Sequence, residues 1–290
     1  MDAQTNNIET RMGITLRDIG IPPRPSILND IDQEMAKHEP DFTHLARILG
    51  SDVALGAALL KSVNSPFFGF DKKVRSIQEA LLVLGLKLVT STIAGMSLRQ
   101  AFRHVPDMER FWDASASTAR VSGWLARRLH RSCWVRPEDA YTFGLFRDCG
   151  IPVLMGPFPD YRAMLGVANS ERVRRFTDVE NDLLSVNHAD VGAMLAESWQ
   201  LPDDIVQAIR YHHDLAGILG RQSREFPAVV LPMIAIAQLA EHLIYLRTGM
   251  SKTCEWDKIA EDGCRLLGIE PEMVATLAEE ADAAIHGEFD

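Results

Sequence analysis

Residues 186–214, VNHADVGAMLAESWQLPDDIVQAIRYHHD, confine the chain more tightly than any other stretch. Pro202 has no backbone N–H and is tolerated in a helix's first turn but not in its interior. Gln200-Leu201-Pro202 must therefore close one helix and open the next. In the first helix Val191, Met194, Leu195 and Trp199 recur at helical spacing and form one apolar face. Asn187 is a candidate N-cap, with Asp190 three residues on, where an acid can reach back to a freed backbone N–H. His188 then lies in the first turn, where the positive end of the helix dipole favours a neutral ring. In the second helix Ile205 and Ile209 mark the buried stripe, which aims at least one of His212 and His213 inward.

Inward histidines held on helices suit a metal, because neutral imidazole ligates zinc, iron or copper. They also suit a core edge at which the rings bond to neighbouring backbone and to Asp214. The stretch alone leaves both readings open.

The helical period runs through the rest of the chain, and no strand-length run alternates cleanly between turn signals. In IPPRPSIL (21–28) three prolines hold an extended approach, and Ser26 can cap a helix carrying Ile27, Ile31 and Met35. A helix from Asp41 to Leu49 ends at Gly50, and another runs to about Asn64. The loop 65–76 carries Phe67, Phe68 and Phe70, which either form a partner-binding tip or fold back beneath their own loop. Ser76-Ile-Gln-Glu79 and Thr177-Asp-Val-Glu180 read as capping boxes. Gly85 separates two apolar helices in 80–98, and Gly150 ends a helix opened by Pro137. The part from 151 to 175 is less regular, long helices cover 226–247 and 255–267, and Pro271 begins a final acidic helix. The expected fold class is all-α, a compact multi-helix bundle.

The formal net charge of −10 argues against a general nucleic-acid binder, whose phosphate contacts need surplus Lys and Arg. The most basic segment holds Arg120, Arg127, Arg128, Arg131 and Arg136; it reads first as a solvated helix face and only weakly as a phosphate patch. Cys133, Cys149, Cys254 and Cys264 are scattered, which suggests neither a disulfide framework nor a zinc-thiolate site. Residues 1–15 lack an apolar signal core, and Lys87 with several Ser, Thr and Gly interrupts the most hydrophobic run. A cytoplasmic, non-membrane protein is expected.

Several blocks together carry a resemblance: IPPRPSIL, SDVALGAALLKSVNSPFFGF, VRSIQEALLVLG, RDCGIPVL at 147–154 and NHADVGAMLAESWQLPDDIVQAIRYHHD at 187–214. In this order the chain resembles the HDOD family, bacterial signalling domains related to the HD and HD-GYP phosphohydrolases. The resemblance implies an HD-like all-helical fold. We expect a tail or arm at 1–18, an N-terminal helical subdomain at 19–106, an HD-like subdomain at 107–215 and C-terminal helices at 216–290.

The resemblance also implies where a metal site would lie. HD hydrolases hold divalent metal through an early His, a His-Asp pair and a later Asp. Here the pair is Arg147-Asp148, the early His falls at Ala114 or Ser115, and the later Asp falls near Gln238. A guanidinium has only donors, and it would repel a cation by about 4 kcal/mol per unit charge at ~4 Å with an effective dielectric of ~20. Asp148, His188, His212 and His213 remain as the residues that any metal would use. The expectation is a vestigial site with no metal, cofactor or catalysis, with Arg147 paired to Asp148 or a neighbouring acid. The implied role is regulatory, through a protein partner in a bacterial signalling pathway or through a small nucleotide ligand. The alternative is a metal-dependent phosphohydrolase acting on a nucleotide or cyclic dinucleotide.

Overall fold

The computed structural model describes residues 20–64, 73–220, 226–250 and 252–286. The expected tail at 1–18 and the aromatic tip of Phe67, Phe68 and Phe70 lie outside the described residues. Every regular element is a helix, with no strand among the described residues, so the all-α expectation holds.

The chain forms two compact units. One is built on Pro23–Arg103 and carries α1 (Ser26–Met35), α2 (Phe42–Gly50), α3 (Val53–Val63) and α4 (Ile77–Ala101). The side chain of Asp41 caps α2 by accepting from the Thr43 and His44 amides, and Ser76 caps α4 through the Glu79 amide. Ser26 does not cap α1: Pro25 precedes the helix and no side chain takes the freed amides. The stripe also turns further than expected, burying Leu28, Ile31 and Glu34 and leaving Met35 exposed. Within α4, Gly85 takes φ 74° and ψ 160°, backbone that only glycine adopts readily, and the helix breaks there into two.

The other unit is built on His104–Asp282. Its helices are α5 (Glu109–Arg128), α6 (Pro137–Phe146), α7 (Gly150–Met155), α8 (Tyr161–Ser170), α9 (Phe176–Leu184) and α10 (His188–Ser198). They continue with α11 (Asp203–Tyr211), α12 (Leu215–Gly220), α13 (Val230–Thr248), α14 (Glu255–Leu267) and α15 (Met273–Glu280); α16 (Asp282–His286) follows. Helix α13 buries most of its length and packs against α5, α6, α11, α14 and α15, the position of a core helix. It and α4 are long and apolar enough to cross a membrane by length and composition alone. The indole of Trp199 donates to the Pro22 carbonyl at 3.0 Å, while its ring meets Phe146 edge-on. Of the basic segment, Arg128 pairs with Glu280 and Arg136 with Asp139. All four cysteines are buried.

Two expectations are corrected here. Gly150 does not end a helix but begins α7, and 151–175 contains both α7 and α8. A Cβ at Gly150 would lie 2.1 Å from the His188 carbonyl oxygen and 2.7 Å from the Gly192 amide nitrogen. The missing side chain therefore lets the start of α7 touch the backbone of α10, and this sets Asp148 beside His188.

Candidate metal centre

Four side chains from three places converge. Asp148 lies in the turn between α6 and α7, His188 is the first residue of α10, and His212 and His213 follow the end of α11. The Asn187 side chain caps α10 by accepting from the Asp190 amide at 2.8 Å. The Asp190 carboxylate answers by accepting from the Asn187 side-chain amide, not from a backbone N–H. Both His212 and His213 turn inward; His188 and His212 are fully buried, and the Asp148 side chain is 22% exposed.

One ligand atom from each of the four lies within 4.8 Å of every other. The His188 Nε2 is 3.2 Å from the Nε2 of His212 and 3.2 Å from that of His213. The Asp148 Oδ1 is 3.5 Å from His188 Nε2 and 3.3 Å from His212 Nε2. Four-coordinate metal–nitrogen bonds of about 2.0–2.1 Å place ligand atoms roughly 3.3 Å apart, so these separations fit one ion.

The other ring nitrogens show which tautomer each histidine holds. Nδ1 of His188 faces Glu180 Oε2 at 2.8 Å, that of His212 faces the Ile209 carbonyl at 2.7 Å, and that of His213 faces Glu255 Oε2 at 2.7 Å. Carboxylates and carbonyls only accept, so each Nδ1 carries a proton and donates. In a neutral ring Nε2 is then a lone pair, and three lone pairs and a carboxylate oxygen face one another. Such an arrangement needs a cation or a shared proton.

Without an ion, the proton resides on His188. Burial opposes a charge there, but Glu180 and Asp148 on either side outweigh it and raise the ring's pKa to about 10. The neutral ring expected from the helix dipole is thereby corrected: a dipole contributes about 0.3–1 kcal/mol, less than two adjacent carboxylates. Burial and the neighbouring His213 instead push His212 down to about 3. Burial also raises the Asp148 carboxyl, yet Arg147 and the imidazoles hold it well below the usual carboxylate range.

Arg147 lies outside the four-residue group. Its Nε donates to Asp148 Oδ2 at 2.9 Å, its Nη2 to Glu241 Oε1 at 2.5 Å, and its Nη1 reaches the Ala237 carbonyl at 3.4 Å. The guanidinium thus occupies one oxygen of Asp148 and leaves Oδ1 facing the imidazoles. Glu255 is also bonded to Lys258. Asp148, Glu180, Glu241 and Glu255 therefore stand against Arg147 and Lys258, which leaves two formal negative charges when the rings are neutral. That charge suits a divalent cation.

The remaining positions implied by the resemblance do not join the group. Ala114 offers no donor, and the Ser115 hydroxyl bonds back to the Phe111 carbonyl. Gln238 donates to the His212 carbonyl at 3.1 Å, with its buried Oε1 lacking a partner. Asp214 pairs with Arg175 at 2.9 Å.

Glu180, Glu255, Glu241 and Tyr161 were not legible as site residues. The supposed capping box at Thr177–Glu180 is corrected: α9 starts at Phe176 behind Arg175 without a side-chain cap, and Glu180 turns fully inward to His188. Helical phase alone could have shown that Glu180 shares the inner face with Phe176, but not what it meets.

Comparison with known proteins agrees with this architecture. A protein of Treponema pallidum (strain Nichols) is 27% identical over 216 residues, covering 74% of this chain. The match spans 42% of that relative, so this chain corresponds to less than half of its length. An HDOD domain protein of unknown function from Geobacter sulfurreducens superposes with TM-score 0.68 at 21% identity, covering 98% of this chain and all of the other. A candidate signal-transduction protein of Marinobacter aquaeolei VT8 gives TM-score 0.72 at 22% identity, covering 98% of this chain and 63% of that one. A candidate phosphohydrolase of Shewanella amazonensis SB2B gives 0.65 at 21% identity, covering 94% and 95%. These structures share the fold. The HDOD domain profile matches residues 21–215, more than half of the sequence, and the chain belongs to the HDOD domain family.

Proposed function

We propose that this chain is a non-catalytic regulatory domain of bacterial cytoplasmic signal transduction, acting through protein contacts. In this reading Asp148, His188, His212 and His213 hold one divalent transition-metal ion as an internal crosslink. A bound ion would supply folding energy by tying the turn after α6 to the start of α10 and the end of α11. The observation that carries the reading is the pairing of Arg147 with Asp148 and Glu241. It occupies the second carboxylate oxygen with a fixed positive charge, where a hydrolytic site would need a further ligand and an open position for water. Four protein donors complete a four-coordinate shell, as structural sites do.

A second reading, a metal-dependent phosphohydrolase, is favoured by the partial exposure of Asp148, a route by which solvent could reach the cluster. Turnover of nucleotides and cyclic dinucleotides by the metal-loaded chain separates the two. The regulatory reading expects no hydrolysis above that of His212→Ala. Hydrolysis that His212→Ala abolishes would establish the enzyme instead.

A further inference from the structure

Two of the three imidazoles in the cluster lean on carboxylates from helices that provide no ligand. Glu180 comes from α9 and Glu255 from α14. Each carboxylate is itself held from a second side. Tyr161 donates its hydroxyl to Glu180 Oε1, and the His188 amide reaches Glu180 Oε2 at 3.3 Å. Lys258 donates to Glu255 Oε1 at 2.6 Å. Neither carboxylate can therefore swing away from its ring without breaking another bond.

Phe176 fixes the rings against rotation. It meets His188 edge-on at 5.2 Å between centroids and stacks on His213 at 4.8 Å. On the third ring, His212, Nδ1 faces a carbonyl, that of Ile209, and not a carboxylate. A neutral acceptor is thus sufficient to orient an imidazole in this fold. Burying a carboxylate costs far more than burying a carbonyl unless its charge is used. The charge strengthens Nε2 as a donor, because a carboxylate accepting from Nδ1–H stabilises positive charge on the ring.

We infer that Glu180 and Glu255 are positioning residues for a divalent cation, fixing the tautomers of His188 and His213 and raising the donor strength of their inner nitrogens. This rests on the metal reading of the cluster. It adds that α9 and α14, which provide no ligand, are part of the ion's binding apparatus.

Glutamine is the informative substitution. It keeps the shape but can turn its amide NH2 toward Nδ1, which moves the ring proton to Nε2, where it faces the ion. The full chain, stripped of metal by chelation, is titrated with cobalt(II), and binding is followed by ligand-field absorption. The wild type is expected to take up one equivalent. Glu180→Gln and Glu255→Gln are each expected to bind roughly 10–100-fold more weakly. Cobalt affinity in the folded fraction shows whether the loss is merely structural. Stripped Glu180→Gln and Glu255→Gln should both unfold below the wild-type midpoint, since each weakens buried bonds on two sides, but a role in stability alone would leave cobalt affinity in the folded fraction unchanged. If either glutamine variant fails to fold, Tyr161→Phe loosens Glu180 alone and should still weaken cobalt binding. Wild-type affinity in the folded variants overturns the positioning role while leaving the metal site intact. No cobalt uptake by the wild type overturns the metal site, and this inference with it.

Discussion

His213 Nδ1 lies 2.7 Å from Glu255 Oε2, a bond that joins the end of α11 to the start of α14 across 42 residues. His188 and Glu180 repeat the relationship at 2.8 Å. The two pairs turn an ordinary crossing of helices into a cluster with its lone pairs directed inward.

Arg147 is expected to be a large contributor to stability. Arg147→Met would leave Asp148 Oδ2 and Glu241 without their shared cation in a mostly buried setting. Breaking such a pair costs about 3–5 kcal/mol, which urea unfolding of the stripped protein would register. Arg147→Lys should recover only part of this, since an ammonium lacks the fork that reaches both acids. Wild-type stability in Arg147→Met would show that the ion pair contributes little.

The metal-stripped protein should lose stability on both sides of neutrality. His188, raised to about 10, stabilises fully below its unfolded value near 6.5 and loses that contribution as pH rises through about 10. His212, lowered to about 3, stabilises above 6.5 and loses that contribution as pH falls toward 3. Unfolding measured across this range checks both limbs, and His188→Gln should remove the alkaline one. An ion must also displace the His188 proton, so metal affinity should rise about tenfold per pH unit below the raised value. An affinity independent of pH would contradict this proton assignment.

Gly150→Ala should disturb the site without touching a ligand. The added methyl would sit 2.1 Å from the His188 carbonyl, so the backbone of α7 or α10 must move. Overpacking typically costs about 1–3 kcal/mol, and a backbone clash should reach or exceed the upper end. Thermal unfolding and metal uptake should fall together. Unchanged uptake would mean that the contact between α7 and α10 does not position Asp148.

Gly85→Ala provides a test in the unit that holds none of the four ligands. Its backbone lies in a region essentially reserved for glycine, and alanine should cost about 1–3 kcal/mol. An undiminished unfolding midpoint would show that the break in α4 relaxes freely.

The sequence is legible where the deciding contacts are themselves local. The stop at Gln200-Leu201-Pro202 and the Asn187 cap depend on a few neighbouring residues, and both appear in the fold. The sequence is not legible where a distant partner competes successfully with the local one. Glu180 satisfies the capping-box spacing from Thr177, yet His188 and Tyr161 draw its carboxylate into the interior. Ser26 satisfies the cap preference, yet the chain turns helical one residue earlier than a Ser26 cap allows. Asp148 and the three histidines could be named from the family resemblance, but their convergence depends on the close approach at Gly150. The stabilising acids could not be named at all, because Glu255 bears no periodic or motif relation to His213.

Metal analysis of the purified full chain tests the central claim most directly. One transition-metal ion per chain is expected, lost in His212→Ala. Two ions per chain, or none after growth and purification with added zinc, manganese and iron, would contradict it.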